Sequence, residues 1–87
     1  MGKPITRQAL ERDGVCLWGW KHPGMFGNCI LYSLDPHHIV HRGAGGPDEL
    51  ENIISLCRAH HNAAHQGKIS KDELREILTD LYGYDYS

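Results

Sequence analysis

The stretch DPHHIVHRGAGGPDELENIISLCRAHHNAAHQG, residues 35–67, decides the fold of this chain. It is rich in histidine, and a glycine-rich turn divides its two short apolar segments. Apolar, β-branched runs on either side of such a turn predict strands, and a late glycine is typical of the end of a helix. We therefore predict a strand within Cys29 to Val40, a turn over Arg42 to Pro47, a strand over Asn52 to Leu56, and a helix over Arg58 to Gln66 that ends at Gly67.

Other elements are predicted before and after this stretch. Pro4 to Asp13 has apolar residues near one helical face, and Gly14 is placed to end that helix. Between Gly14 and Asn28, four glycines, one proline and two tryptophans show no sustained period, which predicts a compact loop. The aromatic residues expected to form core beneath this loop are Trp18, Trp20 and Phe26.

The end of the chain carries the signature of an amphipathic helix. Ser70 and Glu73 have the spacing of a capping box. Apolar residues then recur at helical spacing, at Leu74, Ile77, Leu78 and Leu81. We predict a helix over Lys71 to Tyr82 that covers the core, followed by a tyrosine-rich end, with Tyr84 and Tyr86, that frays.

The composition predicts one small domain that needs more than an apolar core. The chain has 87 residues, of which 40% are apolar, so a single domain over residues 1–87 would have a marginal core. Domains of this size usually add a disulfide, a metal or a partner subunit. Three cysteines argue against a closed disulfide framework, whereas seven histidines favour a metal. We expect a metal-stabilised α+β domain and not a secreted disulfide scaffold.

Charge and hydropathy exclude some partners. The net charge of −2 disfavours a bulk electrostatic grip on nucleic acid. The balance is +2 over residues 1–28, −1 over 29–69 and −3 over 70–87, so a polyanion is expected to meet the first two thirds. The N-terminus lacks the apolar segment of a signal peptide, and no stretch approaches the ~18 apolar residues of a membrane span. We therefore expect no membrane partner and a cytoplasmic location.

Four histidines are placed for two different tasks. His61 and His65 are four residues apart in the predicted helix, so both imidazoles can converge on one ion. His37 and His38 are consecutive in the predicted strand and therefore point to opposite faces. One of this pair is expected to join the metal ligands, while the other, with an ordinary pKa near ~6.5, accepts a proton from water. His41 is expected to be a bystander.

A family resemblance rests on residues that occur in a fixed order: Asp35-Pro36-His37-His38-Ile39, Arg42-Gly43, Gly45-Gly46, Asn52-Ile53-Ile54-Ser55-Leu56-Cys57, His60-His61-Asn62 and His65. This set resembles the HNH endonucleases, whose site lies on a ββα-metal motif of two strands and a helix. The resemblance implies an α+β domain with its core at about residues 29–66. It implies His38 as general base, Asn52 as the residue that holds loop and strand together, and metal ligands at His37, His61 (the final H of the motif) and His65.

The implied reaction is metal-dependent hydrolysis of a DNA phosphodiester. One divalent ion would stabilise the phosphate and the leaving 3′ oxygen while His38 deprotonates the attacking water. Arg42 and Arg58 are expected to contact phosphate, since a guanidinium engages two phosphate oxygens. Magnesium or manganese would suit this chemistry, whereas three imidazoles favour zinc, nickel or cobalt, so the ion remains open.

A second metal site is expected beside the first. Cys57 and His60 have the spacing of half a structural zinc site. In the zinc-bearing branch of the HNH family the other cysteine pair lies upstream, where this chain has Cys16 and Cys29. These two are thirteen residues apart instead of forming a tight pair, so His22 is an alternative to Cys29.

The leading hypothesis is thus a small nuclease of low sequence specificity that nicks or cuts DNA, with duplex DNA as its expected partner. A phage-type protein acting beside a terminase, or another DNA-processing partner, in a bacterial host cell fits the resemblance. The alternative is a zinc-stapled nucleic-acid or protein adaptor without catalytic activity, in which the histidines only bind metal.

Overall fold

The computed structural model describes residues 2–22, 29 and 33–86. These residues form an α+β domain, as the sequence predicted. The regular elements are α1 (Ile5–Asp13), α2 (Leu17–Lys21), β1 (Asp35–His38), β2 (Ile53–Leu56), α3 (Arg58–His65) and α4 (Lys71–Tyr82). Short 3-10 turns at Arg42–Ala44 and Leu50–Asn52 lie in the connection between the strands.

The two strands pair antiparallel, with His37 opposite Ile54 and His38 opposite Ile53. Strand β1 covers only Asp35–His38 of the predicted range, of which residues 30–32 lie outside the described residues. The strand ends there because the side chain of Asn52 takes the place of a partner strand in bonding the Val40 backbone. Asn52 Oδ1 accepts from the Val40 backbone N–H at 3.0 Å, and Asn52 Nδ2 donates to the Val40 carbonyl at 3.0 Å.

The N-terminal third differs in part from the prediction. Helix α1 ends at Gly14 as expected, where a φ of 71° favours glycine. The segment predicted as an irregular loop contains helix α2, because burial of Leu17 orders a turn that the local composition disfavours. Trp18 packs against the core as expected, whereas Trp20 is 39% exposed and is not core. Phe26 lies outside the described residues.

Helix α4 has the predicted bounds and cap. The Ser70 hydroxyl accepts from the Glu73 backbone N–H at 3.1 Å. Its apolar face joins one buried cluster with β2 and α2, which includes Leu17, Ile54, Leu56, Leu74, Ile77 and Leu78. None of the helices described is both long and apolar enough to cross a membrane.

The tyrosine-rich end was predicted to fray, but side-chain hydrogen bonds attach it to the rest of the domain. The hydroxyl of Tyr82 donates to Asp13 Oδ1 at 2.5 Å, and that of Tyr86 donates to the Glu51 carbonyl at 2.5 Å. These two phenols attach the end of α4 to the first helix and to the turn before β2. Each of these hydroxyls faces a hydrogen-bond acceptor, a contact that sequence periodicity does not reveal.

Candidate functional site

Strand β1 and helix α3 bring three imidazoles together. The period of two in β1 turns His37 inward, where it is only 4% exposed. One helical turn separates His61 from His65, and their Nε2 atoms are 2.9 Å apart. The ring of His37 lies 5.2 Å from that of His61 and 5.1 Å from that of His65. One nitrogen from each ring falls within 4.8 Å of the others, a spacing compatible with a shared ion.

The donors of this cluster fit a metal ion. His37 Nδ1 is a buried side-chain nitrogen without a hydrogen-bond partner, the kind of lone pair that a cation would satisfy. Burial, and then the neighbouring imidazoles, lower the pKa of His37 to about 4, so this ring is neutral near pH 7. Burial and His61 also lower the pKa of His65. Neutral imidazole is the form that binds a metal, so His37 can act as a ligand near pH 7.

Asp35 orients one of these rings, and the sequence prediction missed it. Asp35 Oδ2 lies 3.1 Å from His61 Nδ1, which leaves His61 Nε2 to face the cluster. Arg58 Nε donates to the same oxygen at 2.7 Å, so this predicted phosphate contact is paired with a carboxylate. The Arg58 hydrogen bond is the largest cause of the lowered pKa of Asp35. The signal was present, since Asp35 and His37 are two residues apart and share a face of β1.

His41 is closer to the site than its predicted bystander role implies. Its ring stacks on that of His65 at 5.1 Å with an interplanar angle of 10°. It also meets the ring of His37 edge-on at 5.7 Å. His41 follows β1 and is not on its pleat, so strand periodicity could not place it.

His38 lies on the opposite side of β1 from the cluster, as the strand period predicted. Its Nε2 is 2.7 Å from Asp48 Oδ1, and Arg42 Nε donates to the same oxygen at 3.0 Å. The hydrogen bond to His38, and then that from Arg42, lower the pKa of Asp48. His38, the predicted general base, and Arg42, a predicted phosphate contact, therefore both bond to Asp48. The sequence analysis did not single out this carboxylate.

The loop between the strands is closed from inside by Asn52. Besides its two bonds to Val40, Asn52 Nδ2 donates to the Pro47 carbonyl at 3.0 Å. Gly46 makes the closest approach, because a Cβ there would lie 1.8 Å from the Val40 carbonyl oxygen. Asn52 thus joins the end of β1 to the loop through three side-chain hydrogen bonds, and its role in the site stays a prediction.

The four predicted zinc ligands form a second cluster. Three sulfur atoms surround His60 Nδ1, with Cys57 at 3.2 Å, Cys16 at 3.4 Å and Cys29 at 3.5 Å. All four ligand atoms lie within 4.8 Å of one another. None of the three cysteines, all of which the structure describes, is in a disulfide. The ring of His22 instead lies 4.2 Å from that of Trp18 at an interplanar angle of 42°. The group therefore includes Cys29 and not His22.

The geometry of this Cys3His group suits a tetrahedral ion. Zinc bonds of about 2.3 Å to sulfur and about 2.0 Å to nitrogen place sulfur and nitrogen roughly 3.5 Å apart across a tetrahedral edge. The observed separations of 3.2 to 3.5 Å are close to that value. Burial, and then the neighbouring thiols, raise the pKa of Cys29 to about 12, an environment that disfavours thiolates unless a cation balances them.

Comparisons with known proteins agree with this arrangement. The HNH endonuclease family model matches residues 19–67. The type IV methyl-directed restriction enzyme EcoKMcrA of Escherichia coli (strain K12) is 31% identical over 68 residues, which cover 78% of this chain and 24% of that enzyme. The chain thus spans about a quarter of this relative's length, and no solved structure matched it. The family match covers more than half of the chain and holds all of the imidazole cluster, so the chain belongs to the HNH endonuclease family.

Proposed function

We propose that this protein is a metal-dependent nuclease that hydrolyses phosphodiester bonds in DNA, with His38 as the general base. The observation that carries the proposal is the separation of two adjacent imidazoles. His37 joins the cluster with His61 and His65, while His38 stands apart from it against Asp48. A metal ligand and a proton acceptor are thereby provided side by side on one short strand.

The chain's own residues divide the work in this proposal. His37, His61 and His65 would hold one divalent ion, which when bound supplies charge stabilisation at the phosphate. His38 takes the proton from water, and Asn52 fixes the loop beside it. Magnesium, manganese, cobalt, nickel and zinc are all candidates for this site, and we propose structural zinc for the Cys3His group.

Arg42 and Arg58 are proposed to bind the DNA backbone. Their side chains are 63% and 59% exposed, and each is paired with a carboxylate that borders the site. A guanidinium has five N–H donors, so each arginine can bind a phosphate oxygen while it keeps its carboxylate. Phosphate contacts carry no sequence information, and we therefore expect nicking or cutting of low specificity. In this proposal residues 1–87 form one domain with its core at about residues 29–66. The protein acts in a bacterial cell, where a DNA-processing partner such as a phage terminase directs it to its substrate.

The test is a plasmid-nicking assay on the zinc-containing protein with Mg²⁺, Mn²⁺, Co²⁺, Ni²⁺ or Zn²⁺ added separately. Methylated and unmethylated plasmids are both used, because the related restriction enzyme is methyl-directed. We expect cleavage with at least one ion, and loss of at least about 100-fold in the His38→Ala variant, the range for a general base. Circular dichroism checks that the variant folds. If both proteins are folded and neither cleaves DNA with any ion, the result would instead favour the adaptor without catalytic activity.

A further inference from the structure

The contact between His38 and Asp48 determines which nitrogen of the imidazole is available. His38 Nε2 lies 2.7 Å from Asp48 Oδ1, within hydrogen-bond distance. An ionised carboxylate can only accept a hydrogen bond, so the nitrogen that faces it must carry the proton. In a neutral ring the other nitrogen, Nδ1, then keeps its lone pair.

The loop that carries Asp48 is built to hold it in place. Asn52 donates to the carbonyl of Pro47, the residue just before Asp48. Gly46 N–H donates to the His41 carbonyl at 2.9 Å, which closes the other side of the loop. Asp48 is 50% exposed by side chain, so these backbone contacts, and not burial, set its position.

Arg42 completes the arrangement from the same loop. Its Nε and Nη2 both lie 3.0 Å from Asp48 Oδ1, the oxygen that faces His38. A guanidinium on that oxygen restrains the carboxylate rotamer and takes up part of its negative charge. The oxygen that faces His38 is therefore held by contacts within the same loop.

We propose that Asp48 is a positioning residue that fixes His38 in the Nε2–H tautomer and leaves Nδ1 as the proton acceptor. The inference rests on the proposed nuclease function and adds to it a residue that acts through the base. Asp48 is not itself a catalytic residue, because nothing in its geometry requires contact with substrate. This pairing follows the general pattern in which a base is oriented by a third group.

The first readout is the tautomer itself, which does not depend on activity. Long-range ¹H–¹⁵N NMR of the zinc-loaded protein reports which nitrogen of each imidazole is protonated, and the His38→Ala spectrum assigns the His38 signals. We expect the Nε2–H form in wild type, a loss of that preference in Asp48→Ala, and its retention in Asp48→Asn, whose amide oxygen can still accept. The Nδ1–H form or a doubly protonated ring in wild type would overturn the proposal.

The second readout separates positioning from binding. We expect Asp48→Ala to lower kcat for plasmid nicking by roughly 10- to 100-fold, as for loss of a carboxylate that orients a functional imidazole, with KM nearly unchanged. Glu49→Ala removes the neighbouring exposed carboxylate and should alter neither the tautomer nor kcat. Wild-type kcat in a folded Asp48→Ala variant would refute the inference while His38→Ala still tests the nuclease. If no form of the protein cleaves DNA, the nuclease proposal fails and the tautomer measurement alone decides the role of Asp48.

Discussion

Asp13 is a residue on which contacts from several elements converge. Its side chain is fully buried, and its oxygens accept from the Ser55 backbone N–H at 3.0 Å and the Tyr82 hydroxyl at 2.5 Å. Arg12 Nε is 2.6 Å away, and Arg12 Nη2 donates in turn to the Ile53 carbonyl at 2.6 Å. One carboxylate therefore links the end of α1 to β2 and α4.

We expect Asp13→Ala to lower the free energy of unfolding by about 3 kcal/mol, because it leaves the Arg12 guanidinium buried without its counter-charge. Urea unfolding of the zinc-loaded protein measures the loss. Glu11→Ala is the matched control, since Glu11 is an exposed carboxylate on the same helix, paired with Lys3, and its loss should leave stability nearly unchanged. Equal losses in the two variants would contradict the assigned role of Asp13.

The sequence predicted the residue positions that follow from one helix or strand. It missed those that depend on contacts between two parts of the structure. The helical period brings His61 and His65 together, and the strand period separates His37 from His38. The roles of these residues remain predictions. Asp48 was missed because its contact with His38 depends on how the loop closes, and that closure needs the side-chain bonds of Asn52.

Among the elements, α4 was predicted most completely because its cap and its apolar period agree. The failures have physical causes. Strand β1 stops where the Asn52 side chain takes over the backbone of Val40, and α2 forms because Leu17 is buried in the core. Both depend on tertiary contacts that a local pattern does not contain.

The attachment of α4 through Tyr82 predicts a dependence of stability on alkaline pH. Burial, and then the bond to Asp13, raise the pKa of Tyr82 to about 12. An unfolded tyrosine ionises near ~10, so the folded state holds its proton more tightly. The contribution is therefore fully present below pH ~10 and is lost as the pH rises toward 12.

Urea unfolding at pH 9 and pH 11 should show this loss in wild type, with phenolate absorbance following ionisation. Tyr82→Phe should be less stable than wild type at pH 9 and lose less on going to pH 11. Some loss should persist, because burial also raises the pKa of Tyr86 to about 12. An unchanged pH dependence in Tyr82→Phe would rule out the Tyr82 hydroxyl as its source.

For the molecule as a whole, the Cys3His group connects three separate parts of the chain. Cys16 precedes α2, Cys29 lies between the helical N-terminal part and β1, and Cys57 and His60 begin α3. The composition predicted that a core of this size needs a metal, and the residues of the group follow from the family resemblance. Their convergence could not be derived from the irregular spacing of Cys16 and Cys29.

Removal of zinc should therefore cost most of the fold, because binding to a site that forms only on folding contributes directly to the free energy of folding. We expect chelation to abolish the cooperative thermal transition seen by circular dichroism, and added Zn²⁺ but not Mg²⁺ to restore it. Cys57→Ser should behave like the chelated protein. His61→Ala, which alters only the imidazole cluster, should keep one tightly bound zinc and the transition. A chelated protein that melts like the zinc-loaded one would show that the apolar core suffices, and the Cys3His group would then need another explanation.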